Sequence, residues 1–550
     1  MELRVKQISY LEKVRISSPE EYPEINEIDA LKNQRVCYQI VLSSDKYLHV
    51  KAHVESDLPV SLYCVRDVFA DTPFTQPGAD KDGYIINEPG MIPDVLIPLE
   101  EQNGFVTVKD RDSVTLFVKV NVPENAESGK HEIKVNFEGA SIVLRSKPEV
   151  FETAVMTLDV GSAVLDGGAP IYTRWFYADC IAVYHNVEVY SEKHWEFIEK
   201  YIAAATEVGI NMILTPVHTP PLDTEIDTAR PNVQLVDIEK KDNRYVFGFD
   251  KLERFVTLAQ KHGIKYFEIA HMFSQWGAEK TPNIYVTVNG RLEHMFGWHT
   301  TSDSREYISF LGQYVPALRE EFEKLGIDEN TYFHVSDEPR LEQIEKYKTA
   351  MNLIKPYIGK CKTLDALSHY EFYETGLVEC PVTIVSELHH FIPHNIENLW
   401  AYYCCGPQVL HTNSLLAMPS YRVQVLGFLL YKFNIKGFLH WGFNYYNAER
   451  SKYPLNPYIN TSADGSFPSG DGFIVYPGYN SVYGSIRGEV TYQAIEDMRI
   501  ATLLEKKIGR EKVVEMIDNA AGGEFRFPVY PKNGAFLENL RREMIRLIEE

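Results

Sequence analysis

Two adjacent carboxylates, Asp337 and Glu338, stand in the hexapeptide Val335-Ser336-Asp337-Glu338-Pro339-Arg340, directly after the strand-like run Thr331-Tyr332-Phe333-His334. Acid chemistry on a sugar needs a proton donor and a second acidic group close to it. Neighbours in mid-strand point to opposite faces. At a strand end, with a proline turning the chain, both side chains can reach one pocket. The hexapeptide also fits a plain helix N-terminus, where Asp, Glu and Pro are all favoured. Its place in the rest of the chain favours the pocket.

Two glycosidase schemes fit these residues. A retaining mechanism with a protein nucleophile needs separated carboxylates; Glu338 as acid and Glu387, at the end of a later strand-like run, would serve. Adjacent Asp-Glu suits a different scheme, in which the substrate's own 2-acetamido oxygen attacks the anomeric carbon. One carboxyl then protonates the leaving oxygen and its neighbour orients the acetamide N–H. A metal hydrolase built on His218, Glu268, His271, His389 or His390 lacks a recognised ligand spacing, so no metal or cofactor is expected. The chain has no Gly-x-Ser-x-Gly elbow, dinucleotide fingerprint or phosphate loop. Ser469-Gly470-Asp471-Gly472 reads as a glycine-rich turn.

The elements that would hold these groups fall into two rhythms. Residues 1–160 show short alternating runs such as Leu48-His49-Val50-Lys51-Ala52-His53-Val54, the pattern of an antiparallel β-sandwich. Residues 161–505 alternate strand-like and helical runs. Eight strand candidates begin at Tyr172, Ile210, Tyr266, Tyr332, Lys362, Val382, Leu399 and Gly437. Helical spacing covers residues 192–208, 252–262, 305–325, 341–358 and 421–433, and the fifth and sixth crossovers are weak. The expected fold is multidomain: a sandwich, a TIM-like (β/α)8 barrel and a C-terminal helical extension, residues 506–550, packed on the barrel. A doubly wound sheet is the alternative. In a barrel the chemistry sits at the C-terminal strand ends, where His271, Ser274, Gln275, Trp276, Tyr402 and Tyr403 also fall. Two long segments, 271–304 and 442–490, read as functional loops over that face.

Composition narrows the partners. A formal net charge of -22 argues against nucleic acid and anionic membranes. No window is apolar enough for a membrane span, and the N-terminus lacks a signal-peptide pattern. Seven cysteines in no zinc spacing read as reduced thiols, which points to a cytoplasmic protein. Oligomeric state is not legible.

Three segments in order, Arg174-Trp175-Phe176-Tyr177-Ala178-Asp179-Cys180, Ser336-Asp337-Glu338-Pro339 and Gly437-Phe438-Leu439-His440-Trp441-Gly442-Phe443-Asn444, resemble glycoside hydrolase family 123. The resemblance covers roughly residues 165–500. It implies a β-N-acetylgalactosaminidase acting on an oligosaccharide or glycoconjugate with retention, through an oxazolinium intermediate. By the same resemblance Glu338 is the general acid/base and Asp337 polarises the acetamide. Trp175, Asn211, His271, Trp298, Tyr403, Trp441, Asn444 and Tyr446 are the expected sugar contacts. A glycosidase on a non-acetamido sugar with Glu387 as nucleophile, and a non-catalytic glycan-binding protein, are the other readings.

Overall fold

The computed structural model describes residues 3–15, 22–76, 78, 83–109, 112–141, 150–275 and 277–550. Alternation produces the sandwich as expected. In the strand Leu48–Glu55, Leu48, Val50 and Ala52 are buried while His49, Lys51 and His53 point outward. A seven-stranded and a five-stranded sheet enclose Ile40, Leu42, Val50, Leu116, Val118 and Phe137. The larger sheet is not confined to residues 1–160. Its last two strands, Tyr476–Pro477 and Val482–Ser485, come from the long segment after the last barrel strand.

Eight parallel strands close into the barrel: Ile171–Arg174, Met212–Thr215, Tyr266–Ile269, Thr331–Phe333, Lys362–Leu367, Cys380–Ile384, Trp400–Tyr402 and Gly437–His440. They are numbered one to eight below. Closure is explicit in the register, with Ile171 beside Gly437 and Arg174 beside His440. These strands are nearly all buried, because helices cover one side and packed side chains fill the other. The weak crossovers hold only short helices, Glu371–Glu374 in the fifth and Leu388–Phe391 followed by the 3-10 turn Ile392–His394 in the sixth.

Two expectations are corrected. The segment 271–304 is not an irregular loop. Its hairpin Ile284–Val288/Arg291–Phe296 joins Asp237–Lys241/Arg244–Gly248 in a four-stranded sheet outside the barrel. Asn289-Gly290, both at positive φ, makes its turn. The boundary at 505/506 falls inside the helix Ile486–Ile508. The final helix Gly534–Glu549 packs on both domains: Glu549 accepts from Ser162 N–H at 2.7 Å, and Arg541 donates to Asp497 at 2.6 Å. Buried Arg487 bonds Asp94 of the sandwich at 3.0 Å, locking barrel to sandwich. Among the described residues no helix is long and apolar enough to cross a membrane.

Candidate active site

Strand four ends at Phe333, and the chain continues without regular structure through Ser336 before bending at Asp337 and Glu338. Glu338 has φ +43°, in the left-handed region that L side chains rarely adopt. That backbone turn lets consecutive side chains share one cavity instead of facing opposite ways. Both carboxylates line an open cavity of about 190 Å³ together with Trp175, Tyr177, Tyr402 and Trp441.

Strand seven supplies Glu338's partner. The Tyr402 hydroxyl donates to Glu338 Oε1 at 2.5 Å. Burial, then the charge of Glu338, holds the Tyr402 hydroxyl well above its ordinary pKa, so it remains a donor. Burial at the cavity floor and the adjacent Glu338 raise the Asp337 carboxyl well above the carboxylate range, while His334 pulls it back down.

His334 lies beneath the pair in a buried chain. Its Nε2 faces Glu268 Oε1 at 2.5 Å and its Nδ1 faces Asp365 Oδ1 at 3.0 Å. Burial alone would depress this imidazole, but Glu268 and Asp365 together push it up to about 9. Trp175 Nε1 donates to Glu268 at 2.6 Å, Thr173 donates to the other oxygen at 2.7 Å, and Tyr347 donates to Asp365. An imidazolium between two carboxylates therefore supports the floor and orients the Trp175 ring. His271, His334 and Asp365 have ligand atoms within 4.8 Å of one another, as do Glu387, His389 and His390. In the first group both His334 nitrogens face carboxylates, while among the described residues neither ring nitrogen of His271 has a hydrogen-bond partner.

The opposite wall depends on the segment after strand eight. Trp441 Nε1 donates to Asp471 Oδ2 at 2.9 Å, and the indole packs edge-on against Phe467 at 5.2 Å. Burial raises Asp471 to about 7, against the pull of its Trp441 bond, Arg174 and Arg487. A sandwich loop pins this segment. Asp71 accepts from the Thr461 hydroxyl at 2.8 Å and the Ser469 hydroxyl at 3.2 Å, and also from Ser462. Gln408, beyond strand seven, accepts from Thr75 N–H at 2.8 Å and Gln76 N–H at 3.0 Å. The sandwich thus shapes two of the loops around the cavity.

Of the residues expected to contact sugar, Trp175 and Trp441 line the cavity with the carboxylate pair. His271 lies behind it, fully buried and stacked on His334 with ring centroids 4.0 Å apart. Asn211 stands at the other end of the barrel, before strand two. Its amide accepts from Tyr172 N–H and donates to Pro170 O, both at 2.9 Å. Asn444 spends its amide on the backbone of Tyr177, at 2.9 and 3.1 Å. Tyr446 donates to Val475 O at 2.9 Å beneath the surface. Tyr403 points into the core against Phe438, at 4.8 Å, because Tyr402 takes the cavity side of strand seven. Trp298 is half-buried beyond the outer hairpin and does not line the cavity. Glu387 is also off the cavity, 3.6 Å from His390 in a surface pair. Trp276 lies outside the described residues. Sequence reasoning missed Asp223, from the loop after strand two, and Phe467, from the segment after strand eight. Neither carries a local signal beyond lying in a loop on the catalytic face.

The family model "Glycoside hydrolase 123, catalytic domain" matches residues 175–504. Among solved structures, a family 123 glycoside hydrolase from Clostridium perfringens, described for glycolipid glycan hydrolysis, is similar over 100% of this chain and 97% of its own, at 15% identity and TM-score 0.73. A Bifidobacterium dentium β-glucuronidase is similar over 89% of this chain and 66% of its own, at 7% identity and TM-score 0.29. Comparison with curated proteins yields no match.

Proposed function

The chain belongs to glycoside hydrolase family 123 and is a glycosidase; from that premise we propose that it removes terminal β-linked N-acetylgalactosamine, with retention, by substrate-assisted catalysis at Asp337 and Glu338. The observation that carries this reading is the turn at Glu338, which gives two consecutive carboxyls one cavity. Glu338 protonates the glycosidic oxygen as the bond to the anomeric carbon breaks. The substrate's acetamide oxygen forms the new bond to that carbon, closing an oxazolinium ring. Asp337 accepts the acetamide N–H and stabilises the positive charge. Glu338, now a carboxylate, then takes a proton from water as the water oxygen bonds to the anomeric carbon, the bond from that carbon to the acetamide oxygen breaks, and the original configuration is restored.

Three details favour this scheme. An N–H aimed at Asp337, with the His334 cation below, favours the ionised carboxylate that burial and Glu338 oppose in the free enzyme. The Tyr402 hydroxyl is set to stabilise Glu338 once its proton has left. Glu387, needed for a protein-nucleophile mechanism, lies outside the cavity. The test is turnover of 4-nitrophenyl β-N-acetylgalactosaminide, the N-acetylglucosaminide and the β-galactoside by wild type, Glu338→Gln and Asp337→Asn. The wild type is expected to cleave the first substrate. Glu338→Gln should lose more activity on poor leaving groups than on activated ones, and Asp337→Asn should be crippled on all. Near-normal turnover by Asp337→Asn, or equal cleavage of the β-galactoside, would reject the acetamide-assisted scheme.

A further inference from the structure

A third carboxylate, Asp223, and the amide of Gln275 line the same cavity as the catalytic pair. Both are held rigidly. Gln275 is only 6% exposed, and its Oε1 accepts the Asp223 backbone N–H at 2.8 Å. That bond assigns the amide: its oxygen faces the backbone of Asp223, so the remaining nitrogen presents two N–H donors. Among the described residues Gln275 Nε2 has no hydrogen-bond partner. A buried donor without a partner is costly, and native structures rarely keep one that nothing ever meets.

Asp223 is equally constrained. Its φ is +44°, and its Oδ2 accepts from the Tyr445 hydroxyl and, at 3.0 Å, from Arg450 N–H. Its carbonyl accepts from Ser451 at 2.8 Å. These side-chain bonds use one carboxylate oxygen and leave Oδ1 for the cavity. The unit is also tied to the chemistry. Ser336, next to Asp337, donates to the carbonyl of Ser274, next to Gln275, at 2.9 Å. The amide therefore stands in fixed relation to the catalytic carboxyls.

A sugar hydroxyl is at once a donor and an acceptor. A carboxylate oxygen can accept its O–H while an amide N–H donates to its oxygen. We propose that Gln275 Nε2 and Asp223 Oδ1 form the wall that reads a ring or exocyclic hydroxyl of the bound sugar and so set which sugar is accepted. This rests on the glycosidase reading of the cavity but not on the acetamide-assisted step. The wall requires that hydroxyl to be free. A glycosylated position offers no O–H to Asp223, and a sulfate ester meets a like charge. The enzyme accordingly accepts a terminal sugar unsubstituted at that position.

The experiment measures kcat/KM of wild type, Gln275→Met and Gln275→Glu on 4-nitrophenyl β-N-acetylgalactosaminide and its 3-, 4- and 6-monodeoxy analogues. Gln275→Glu keeps the acceptor for Asp223 N–H and checks that the loop still folds. In the wild type one deoxygenation should cost about 10- to 100-fold, and in Gln275→Met the same deoxygenation should cost less than about 3-fold. Equal penalties in wild type and variants would overturn the proposal. If the wild type cleaves none of these glycosides, N-acetylgalactosamine, N-acetylglucosamine and galactose are titrated calorimetrically instead. Weaker binding to Gln275→Met then upholds the wall while the acetamide scheme falls. Affinities unchanged by the variant, or no sugar binding by the wild type, overturn the wall itself.

Discussion

Replacing Tyr402 by Phe removes one oxygen and leaves the ring in place, so the strand-seven packing is preserved. The lost contact is the 2.5 Å bond to Glu338 Oε1, made by a hydroxyl on a residue only 4% exposed. Hydrogen bonds to charged groups contribute about 1.5–3 kcal/mol, which is about 10- to 150-fold in rate. In the mechanism proposed above, the charge-assisted part of that stabilisation arises only when Glu338 becomes a carboxylate, as its proton moves to the leaving oxygen. It is therefore a transition-state contribution, and it grows with the extent of proton transfer. The assay is kcat/KM for wild type and Tyr402→Phe across aryl β-N-acetylgalactosaminides with leaving phenols of graded acidity, with urea unfolding to establish that the variant is folded. The deficit should be about 10- to 150-fold for the least acidic phenol and should fall toward parity for the most acidic. A deficit uniform across the series would mean that Tyr402 only shapes the pocket. Rates within twofold of wild type throughout would refute the acid role argued for Glu338.

His334, with a nitrogen against each of two carboxylates, has its pKa raised from 6.5 to about 9. A raised pKa contributes stability that is fully present below the unfolded value and is lost as pH climbs through the folded one. At about 1.4 kcal/mol per pH unit the wild type should lose roughly 3 kcal/mol more than His334→Asn between about pH 6.5 and 9, read by urea unfolding at several pH values, and parallel curves would reject the imidazolium. Asp71→Ala should lower kcat/KM about 5-fold or more, because it frees the segment carrying Phe467 and Asp471. Unchanged kinetics with lower stability would confine Asp71 to a structural role. In Gly442→Ala the new Cβ would lie 2.4 Å from Asp471 O and 2.6 Å from Gly472 C, both backbone. The segment must then shift, at a cost of about 1–3 kcal/mol in chemical denaturation, with reduced kcat/KM from a displaced Trp441. Wild-type values for both would show that the segment yields freely.

Apolar runs by themselves announce the barrel strands. A parallel strand is buried on both faces and reads as a block such as Met212-Ile213-Leu214-Thr215. The acidic pair is visible for a related reason: a strand end followed by Asp-Glu-Pro is a local pattern. The outer hairpin also carries a local signal, the Asn289-Gly290 turn. Its place between two barrel units hides it, because a stretch that adds no barrel strand reads as one long loop.

The identity of the cavity wall is another matter, because facing is a property of register and composition says nothing of it. Tyr402 and Tyr403 are chemically identical neighbours, and one step of strand parity sends one to Glu338 and the other into the core. Asn211, Asn444 and Tyr446 have the polar groups a sugar site wants, yet each is consumed by a backbone partner far away in sequence. Asp223, Gln275 and Phe467 reach the cavity from three different loops. Chain chemistry places the two carboxyls at a strand end. Long-range packing turns Glu338 to φ +43°, sets an imidazolium beneath Asp337 and selects which neighbouring side chains line the cavity. Those outcomes depend on contacts between residues tens to hundreds of positions apart, and no local pattern encodes them.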